Sequence, residues 1–449
     1  MKIKNINIKG LYGYIDKKID FNEDITLLVG INGAGKTSIL NIVNWIVSPS
    51  LPNLCVTEFK SIKLDFDYRG ESYTVSCKQG KSILEYGIRS TKKVFSPLIV
   101  RLHRNPKSIR NDEMLRSNLI DNYSGLSPDE KEKETWDIIS SFPKPTVIGL
   151  DRNLFTEESS NKIYFDSRSK IRTSRKTIGP LDRVKELLNR EYRKKKNEIL
   201  KLTNSLKNTL MISTFDGAIT LDSLESESKF KLTLNQIVKA EKQVNDYFKN
   251  FEEDSLTEAN QETLFMYFNQ LKELIKKYHD DPDNTQVKIL YELNVHQFVK
   301  VKKLLKEFEK FETKSTKAME NIQNYLDTLN YFFKDSAKKI LFREDTSELT
   351  FSNLDKEGNI ITEHKDVNCL SSGEQQLLIL FSYIAFNSGD GRIFIIDEPE
   401  LSLHIKWQED FLDKLELITP KETQLILATH SPILAHKKRE KSITLLPYN

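Results

Sequence analysis

Apolar residues recur along this chain in two rhythms, and the change between them divides it. Near the start they alternate with polar ones. Ile3, Ile6 and Ile8 stand among Lys and Asn, Ile19 and Phe21 follow, and Ile25 to Val29 is an almost unbroken apolar run. Each predicts a strand. After Val29 come glycines and then Ile39, Leu40, Ile42 and Val43, the spacing of a helix. Leu51-Pro52-Asn53 breaks that pattern. Ile62, Leu64 and Phe66 then alternate with charged residues, Arg69-Gly70 supplies a turn, and Tyr73 and Val75 alternate again, an antiparallel pair. Pro97 to Val100 and Thr146 to Leu150 read as core strands, with a polar loop and a helix between them from Asn111 to Asp137.

Past Gly179-Pro180 the rhythm changes. Apolar residues fall at 181, 184, 188, 192, 199, 202, 206 and 210, steps that predict a long amphipathic helix with a coiled-coil-like seam. A polar region (Phe215 to Ser228) precedes further helices carrying Leu264, Phe268, Leu271 and Ile275. Asp281-Pro282-Asp283-Asn284 is a turn, and a last helical stretch runs from Leu290 to Leu329. Strand signals then resume. Leu349-Thr350-Phe351 and Ile360-Ile361 flank a Glu357-Gly358 turn. Leu370 to Glu374 opens an apolar helix, Ile393 to Ile396 ends in Asp397-Glu398, Gln424 to Thr429 ends in His430, and Ser442 to Leu446 closes the series. The expected organisation is an α/β head in two parts, residues 1–180 and 336–449, with a helical insertion at 181–335 that is short for a coiled-coil arm.

Composition narrows the class. A length of 449 residues suggests several domains, and 68 Lys and Arg against 65 Asp and Glu leave a net charge of only +3. Any nucleic-acid-binding surface must therefore be local. Two local candidates exist, the basic residues from Arg168 to Lys176 and those at Arg190 and Arg193 to Lys196. The cysteines, Cys55, Cys77 and Cys369, form neither a C-x-x-C pair nor a disulfide framework and suit a reducing cytoplasm. Neither a signal peptide nor an apolar run long enough to span a bilayer is evident, so a cytoplasmic protein without membrane contact is expected.

The chemistry begins at Gly30. Gly30 to Thr37 fits the pattern G-x-x-x-x-G-K-[ST], between a strand and a helix. Here the backbone of Gly30, Asn32, Gly33, Ala34 and Gly35 would curl round a phosphate, with Lys36 on the β- and γ-phosphates. Thr37 would ligate Mg²⁺, and Ser38 lies in the first turn of the helix. This predicts ATP and Mg²⁺ as ligands. Tyr12 or Tyr14 could stack on the adenine or simply lie in a surface turn. Asp397, ending an apolar strand, would join Thr37 at the metal, Glu398 would polarise the attacking water, and His430 would reach the γ-phosphate or that water. In a doubly wound sheet Gly30, Asp397 and His430 would all emerge at the carboxyl ends of parallel strands. Arg152, just past the Thr146 strand, is a weaker candidate for the same edge.

Leu370-Ser371-Ser372-Gly373-Glu374 resembles the signature motif of ABC-type ATPases. The resemblance implies that Ser371, Ser372, Gly373 and Glu374 bind the γ-phosphate held by another protomer, so that ATP is sandwiched between two heads. With Gly30–Thr37, Ile393–Glu398, Ser402-Leu403-His404 and Thr429-His430-Ser431-Pro432, the set resembles the SMC-related ABC ATPases. The phrase from Asp397 to His404 is similar to the OLD-like ATPases of bacterial anti-phage systems. The implied head has a mixed sheet and an antiparallel β lobe. Some features depart from known relatives. Leu370 follows Thr37 too distantly for a transporter ATPase, no cysteine pair suggests a zinc hook, no Toprim segment follows the His430 strand, and no glutamine fits a Q-loop. What remains resembles the PtuA-type subunit of Septu systems or the AriA-type subunit of PARIS systems. That implies a homodimer or larger homo-oligomer acting with a separate effector, a nuclease or toxin. The competing reading is a DNA-end or repair ATPase in direct contact with DNA. The histidines show no nuclease grouping.

Overall fold

The computed structural model describes residues 1–110, 112–149, 154–155, 179–214, 231–250, 258–387 and 392–446. They form two compact units, Met1–Tyr192 with Asn321–Asn449, and Arg193–Glu320.

In the first unit the alternating runs become an antiparallel lobe. Strands β1 (Lys2–Leu11), β2 (Ile15–Asp20), β4 (Ser61–Tyr68), β5 (Glu71–Gln79), β6 (Ile83–Ser90) and β7 (Leu98–Arg101) pair in the order β2-β1-β4-β5-β6-β7. Ile62, Leu64 and Phe66 turn into the core while Lys63 faces solvent, the period-two burial the sequence predicts. The 97–100 stretch, expected as a core strand, is instead the edge of this lobe, and Ile99 is exposed.

The continuous apolar runs become a second sheet, buried as parallel strands are. It contains β3 (Ile25–Val29), β8 (Thr146–Ile148), β9 (Leu154–Phe155), β13 (Ile393–Asp397), β14 (Gln424–Thr429) and β15 (Ser442–Thr444), ordered β15-β3-β14-β13-β8-β9. All pairings are parallel except β8 with β9. The register sets Val29 beside Thr429 and Ala428 beside Asp397, so Gly30, His430 and Glu398 leave neighbouring strands at one edge. Helix α1 (Lys36–Val47) packs against β13 and β14 through Ile39, Leu40, Ile42, Val43 and Ile46. The buried Tyr86 hydroxyl donates to the Ile46 carbonyl at 2.7 Å and ties the lobe to this helix.

Three short helices follow the same logic. Residues 51–53, expected to break structure, start α2 (Leu51–Val56), whose proline sits in the first turn, where a missing N–H costs nothing. The 111–137 stretch carries α3 (Glu113–Tyr123) and the start of α4 (Lys133–Ser141), two helices where one was expected.

The helical region contains α5 (Pro180–Thr214), α6 (Leu234–Asn250), α7 (Glu258–Asp280) and the 49-residue α8 (Thr285–Phe333). In the second unit Ile237 and Ala240 of α6, Phe268, Leu271 and Ile275 of α7, and Val295, Phe298 and Leu305 of α8 share one core. The insertion is therefore helical and has a bundle-like centre of its own. Back in the first unit, β10 (Lys338–Phe342), β11 (Leu349–Leu354) and β12 (Ile360–Asp366) form a three-stranded antiparallel sheet. It leads to α9 (Ser372–Phe386), α10 (Ile405–Ile418) and α11 (Pro432–Lys437). Among the described residues no helix is long and apolar enough to cross a membrane.

Candidate nucleotide-binding site

The turn after β3 is made possible by Gly33 and Gly35, both at positive φ (82° and 88°), and Gly35 caps α1. Asn32 and Gly33 are exposed at its tip, Ala34 is buried beneath it, and in the first helical turn Thr37 is exposed and Ser38 partly so. Lys36 folds back into this turn. Its ammonium donates to the Gly30 carbonyl at 2.8 Å and lies 2.8 Å from His430 Nε2 and 3.2 Å from Nδ1. Burial lowers the Lys36 pKa below the usual lysine range, although the carboxylates of Glu398, Asp397 and Glu400 pull the other way.

Those carboxylates converge from β13. Asp397 is buried, and one of its oxygens, Oδ1, is fully enclosed without a hydrogen-bond partner. Burial raises its pKa, the neighbouring Glu398 and Glu400 raise it further, and the Thr37 hydroxyl and Lys36 oppose the shift. An orphaned carboxylate oxygen beside a threonine hydroxyl fits a hard divalent cation, which takes oxygen ligands. Among the described residues no group of three or more His, Cys, Asp or Glu could cage a metal alone. Glu398 follows at positive φ (51°), its N–H donating to the Ala428 carbonyl at 2.8 Å. One of its oxygens stands 3.3 Å from His430 Nε2. Lys36, His430 and Glu398 therefore form one chain of contacts across three strand ends.

The serine-rich turn is built differently. Ser371 caps α9, accepting from the Glu374 N–H, while the Glu374 carboxylate accepts from the Ser371 N–H at 2.7 Å. Ser371 and Ser372 are exposed, and Gly373 is buried. A Cβ at Gly373 would lie 2.5 Å from the Ser402 carbonyl, so the turn rests directly on the loop after β13. Glu374, expected among the phosphate contacts, points inward instead. It is 2% exposed and accepts from Ser336 Oγ at 2.6 Å and Lys338 Nζ at 2.8 Å. Its carboxylate supports the turn from behind, because the helix cap and the half-buried Lys338 ammonium both hold it there. Among the described residues neither serine hydrogen-bonds to Lys36, Thr37, Asp397, Glu398 or His430.

Sequence reasoning missed Glu400. One of its oxygens accepts from the backbone N–H groups of His430 at 2.6 Å and Ser431 at 3.0 Å, and so holds the histidine loop against β13. The signal was its place two residues after Glu398. Arg152 and the basic residues from Arg168 to Lys176 lie outside the described residues. Tyr14 is exposed, and Tyr12 is half-buried with its ring 5.3 Å from the Arg110 guanidinium.

A glycine-rich phosphate loop, an Asp-Glu strand end and a histidine at one edge of a parallel sheet define a P-loop ATPase head of α/β class. The family described as AAA ATPase domain matches residues 1–435, and the chain belongs to it. Among curated proteins it is similar to the Retron Ec83 probable ATPase of Escherichia coli, 30% identical over 231 residues, 46% of this chain and 42% of that one. It is also similar to the DNA double-strand break repair Rad50 ATPase of Methanococcus maripaludis, 24% identical over 188 residues, 35% of this chain and 19% of that one. These matches span less than half the length of each relative. Among solved structures it is similar to the Smc head domain with an extended coiled coil bound to the C-terminal domain of ScpA, from Pyrococcus furiosus. That likeness has 13% identity and a TM-score of 0.35, and it covers 97% of this chain and 91% of that one.

Proposed function

We propose that this chain binds ATP with Mg²⁺ and hydrolyses it at sites shared between two copies. Nucleotide-driven association of the heads then controls a separate effector, a nuclease or toxin, in anti-phage defence. The observation that carries this reading is the convergence of Lys36, Thr37, Asp397, Glu398 and His430 on one sheet edge. Ser371 and Ser372 stand exposed elsewhere, free to meet a nucleotide on another copy. Lys36 leaves the Gly30 carbonyl and His430 for the β- and γ-phosphates, and the backbone of residues 30–35 with Ser38 cradles the rest. Thr37 and Asp397 hold Mg²⁺, which when bound offsets charge on the phosphate oxygens. Glu398 takes the proton of the attacking water, oriented with His430. The insertion at 181–335 serves as an oligomerisation or partner-binding arm. The motif resemblance to OLD-like, PtuA-type and AriA-type ATPases supports the defence role, as does a curated relative named for a retron.

Glu398→Gln and Ser372→Arg test the reading together. Glu398→Gln is expected to bind ATP, lose about 10²–10⁴-fold in turnover and accumulate as a dimer or larger species in ATP. Ser372→Arg is expected to bind ATP normally and not hydrolyse it. Unchanged turnover in the first removes Glu398 as the base. Full-speed hydrolysis by a strictly monomeric preparation removes the shared site.

A second reading, direct action on DNA, has its own support. Arg190, Arg193, Lys194 and Lys196 are exposed on α5, and one relative is named for DNA double-strand break repair. DNA affinity that falls steeply with salt, and is lost when these residues are neutralised, would favour it.

A further inference from the structure

The last turns of α8 are keyed to the serine turn by polar contacts that the catalytic reading does not use. The buried Tyr325 hydroxyl meets Ser382 Oγ of α9 at 2.6 Å. Asn330 grips β10 in both directions, accepting from the Ile340 N–H at 2.6 Å and donating to the Ile340 carbonyl at 3.0 Å. Between these two points the chain turns through Ser336 and reaches Lys338, whose ammonium bridges both oxygens of Glu374, at 2.8 and 3.0 Å. Glu374 in turn closes the cap on Ser371. The Lys338 ammonium also lies 5.4 Å from the Phe351 ring centre, which holds it in place from β11.

A carboxylate as enclosed as Glu374 requires a countercharge, and Lys338 supplies it. The same carboxylate fixes the backbone of Ser371, so the lysine reaches the serines through one intermediary. We infer that Lys338 is a positioning residue for the serine turn, setting how Ser371 and Ser372 are presented to the nucleotide held by a second copy. This rests on the shared-site reading. It links the end of the long helix to the half of the site that the chain lends to its neighbour rather than to the half it keeps.

Mixing experiments separate the two halves. Lys338→Met is expected to bind ATP as the wild type does but to hydrolyse it roughly tenfold or more slowly, the usual scale for losing a group that orients a ligand. Lys338→Arg should restore most of the rate. Lys36→Ala lacks a working phosphate loop but keeps its serines. An equimolar mixture of Lys338→Met and Lys36→Ala contains dimers in which one site joins an intact loop to an intact serine turn. It should regain activity to the level of a matched mixture of Ser372→Arg with Lys36→Ala. If only the Ser372→Arg mixture recovers, Lys338 does not act on the lent half and the inference is wrong. If neither recovers, the shared site itself is wrong and the inference goes with it. Should Lys338→Met not fold, Glu374→Gln, similar in size and uncharged, replaces it in the same mixtures with the same outcomes.

Discussion

An ionised carboxylate at position 397 is poorly accommodated by the chain alone. Burial and two neighbouring glutamates raise its pKa above the ordinary 3.8, so the folded state holds that proton more tightly than the unfolded chain. Stability must then fall as pH rises from the ordinary value through the raised one. Asp397→Asn is expected to stabilise the nucleotide-free protein at neutral pH by about 0.5–2 kcal/mol, as when a functionally strained residue is relaxed. The gain should close as pH drops to 3.8 and below. Thermal melts of both proteins across pH, with and without Mg-ATP, check this, and only the wild type should respond to the metal. Asp397 was legible because a charge ending four apolar residues is conspicuous. Glu400 was marked only by its place two residues after Glu398, and Lys338 by nothing local, because their importance lies in contacts with residues 430 and 374.

At the scale of elements, the serine turn and the loop after β13 meet at one point. Gly373→Ala would drive a methyl group against the Ser402 carbonyl, a backbone atom in a turn already strained by positive φ at Glu398 and Ser402. It is expected to cost about 1–3 kcal/mol, read from the urea midpoint, while ATP affinity at the phosphate loop stays unchanged. Elements with clear periodicity or a turn between them were read correctly from sequence. The β4–β5 hairpin, β13, β14, α5 and α8 all stand where their patterns put them. The errors arose where local and tertiary cues part. β6 alternates Leu84, Tyr86 and Ile88, but Gly80 before it and Gly87 within it interrupt the pattern, and no strand was expected there. The 97–100 run is apolar enough for a core, yet only its pairing with β6 reveals it as an edge.

For the whole molecule, two units with separate cores imply two unfolding events. Calorimetry is expected to resolve them, with Mg-ATP raising only the transition of the unit that contains Lys36 and Asp397. At a hundredfold excess over the dissociation constant the gain is about 2.7 kcal/mol. A single transition shifted as one would refute that separation. The order of the parallel sheet has a further consequence for how the molecule comes into being. The strand that carries the phosphate loop, β3, is flanked by β14 and β15, whose residues lie some four hundred positions later. On a ribosome that apolar strand must wait with both edges unpaired while the lobe and the helical unit are made. Pairings this remote form slowly and leave sticky surface open meanwhile. Competence to hold nucleotide therefore arrives late in synthesis, once the chain has grown past Thr444.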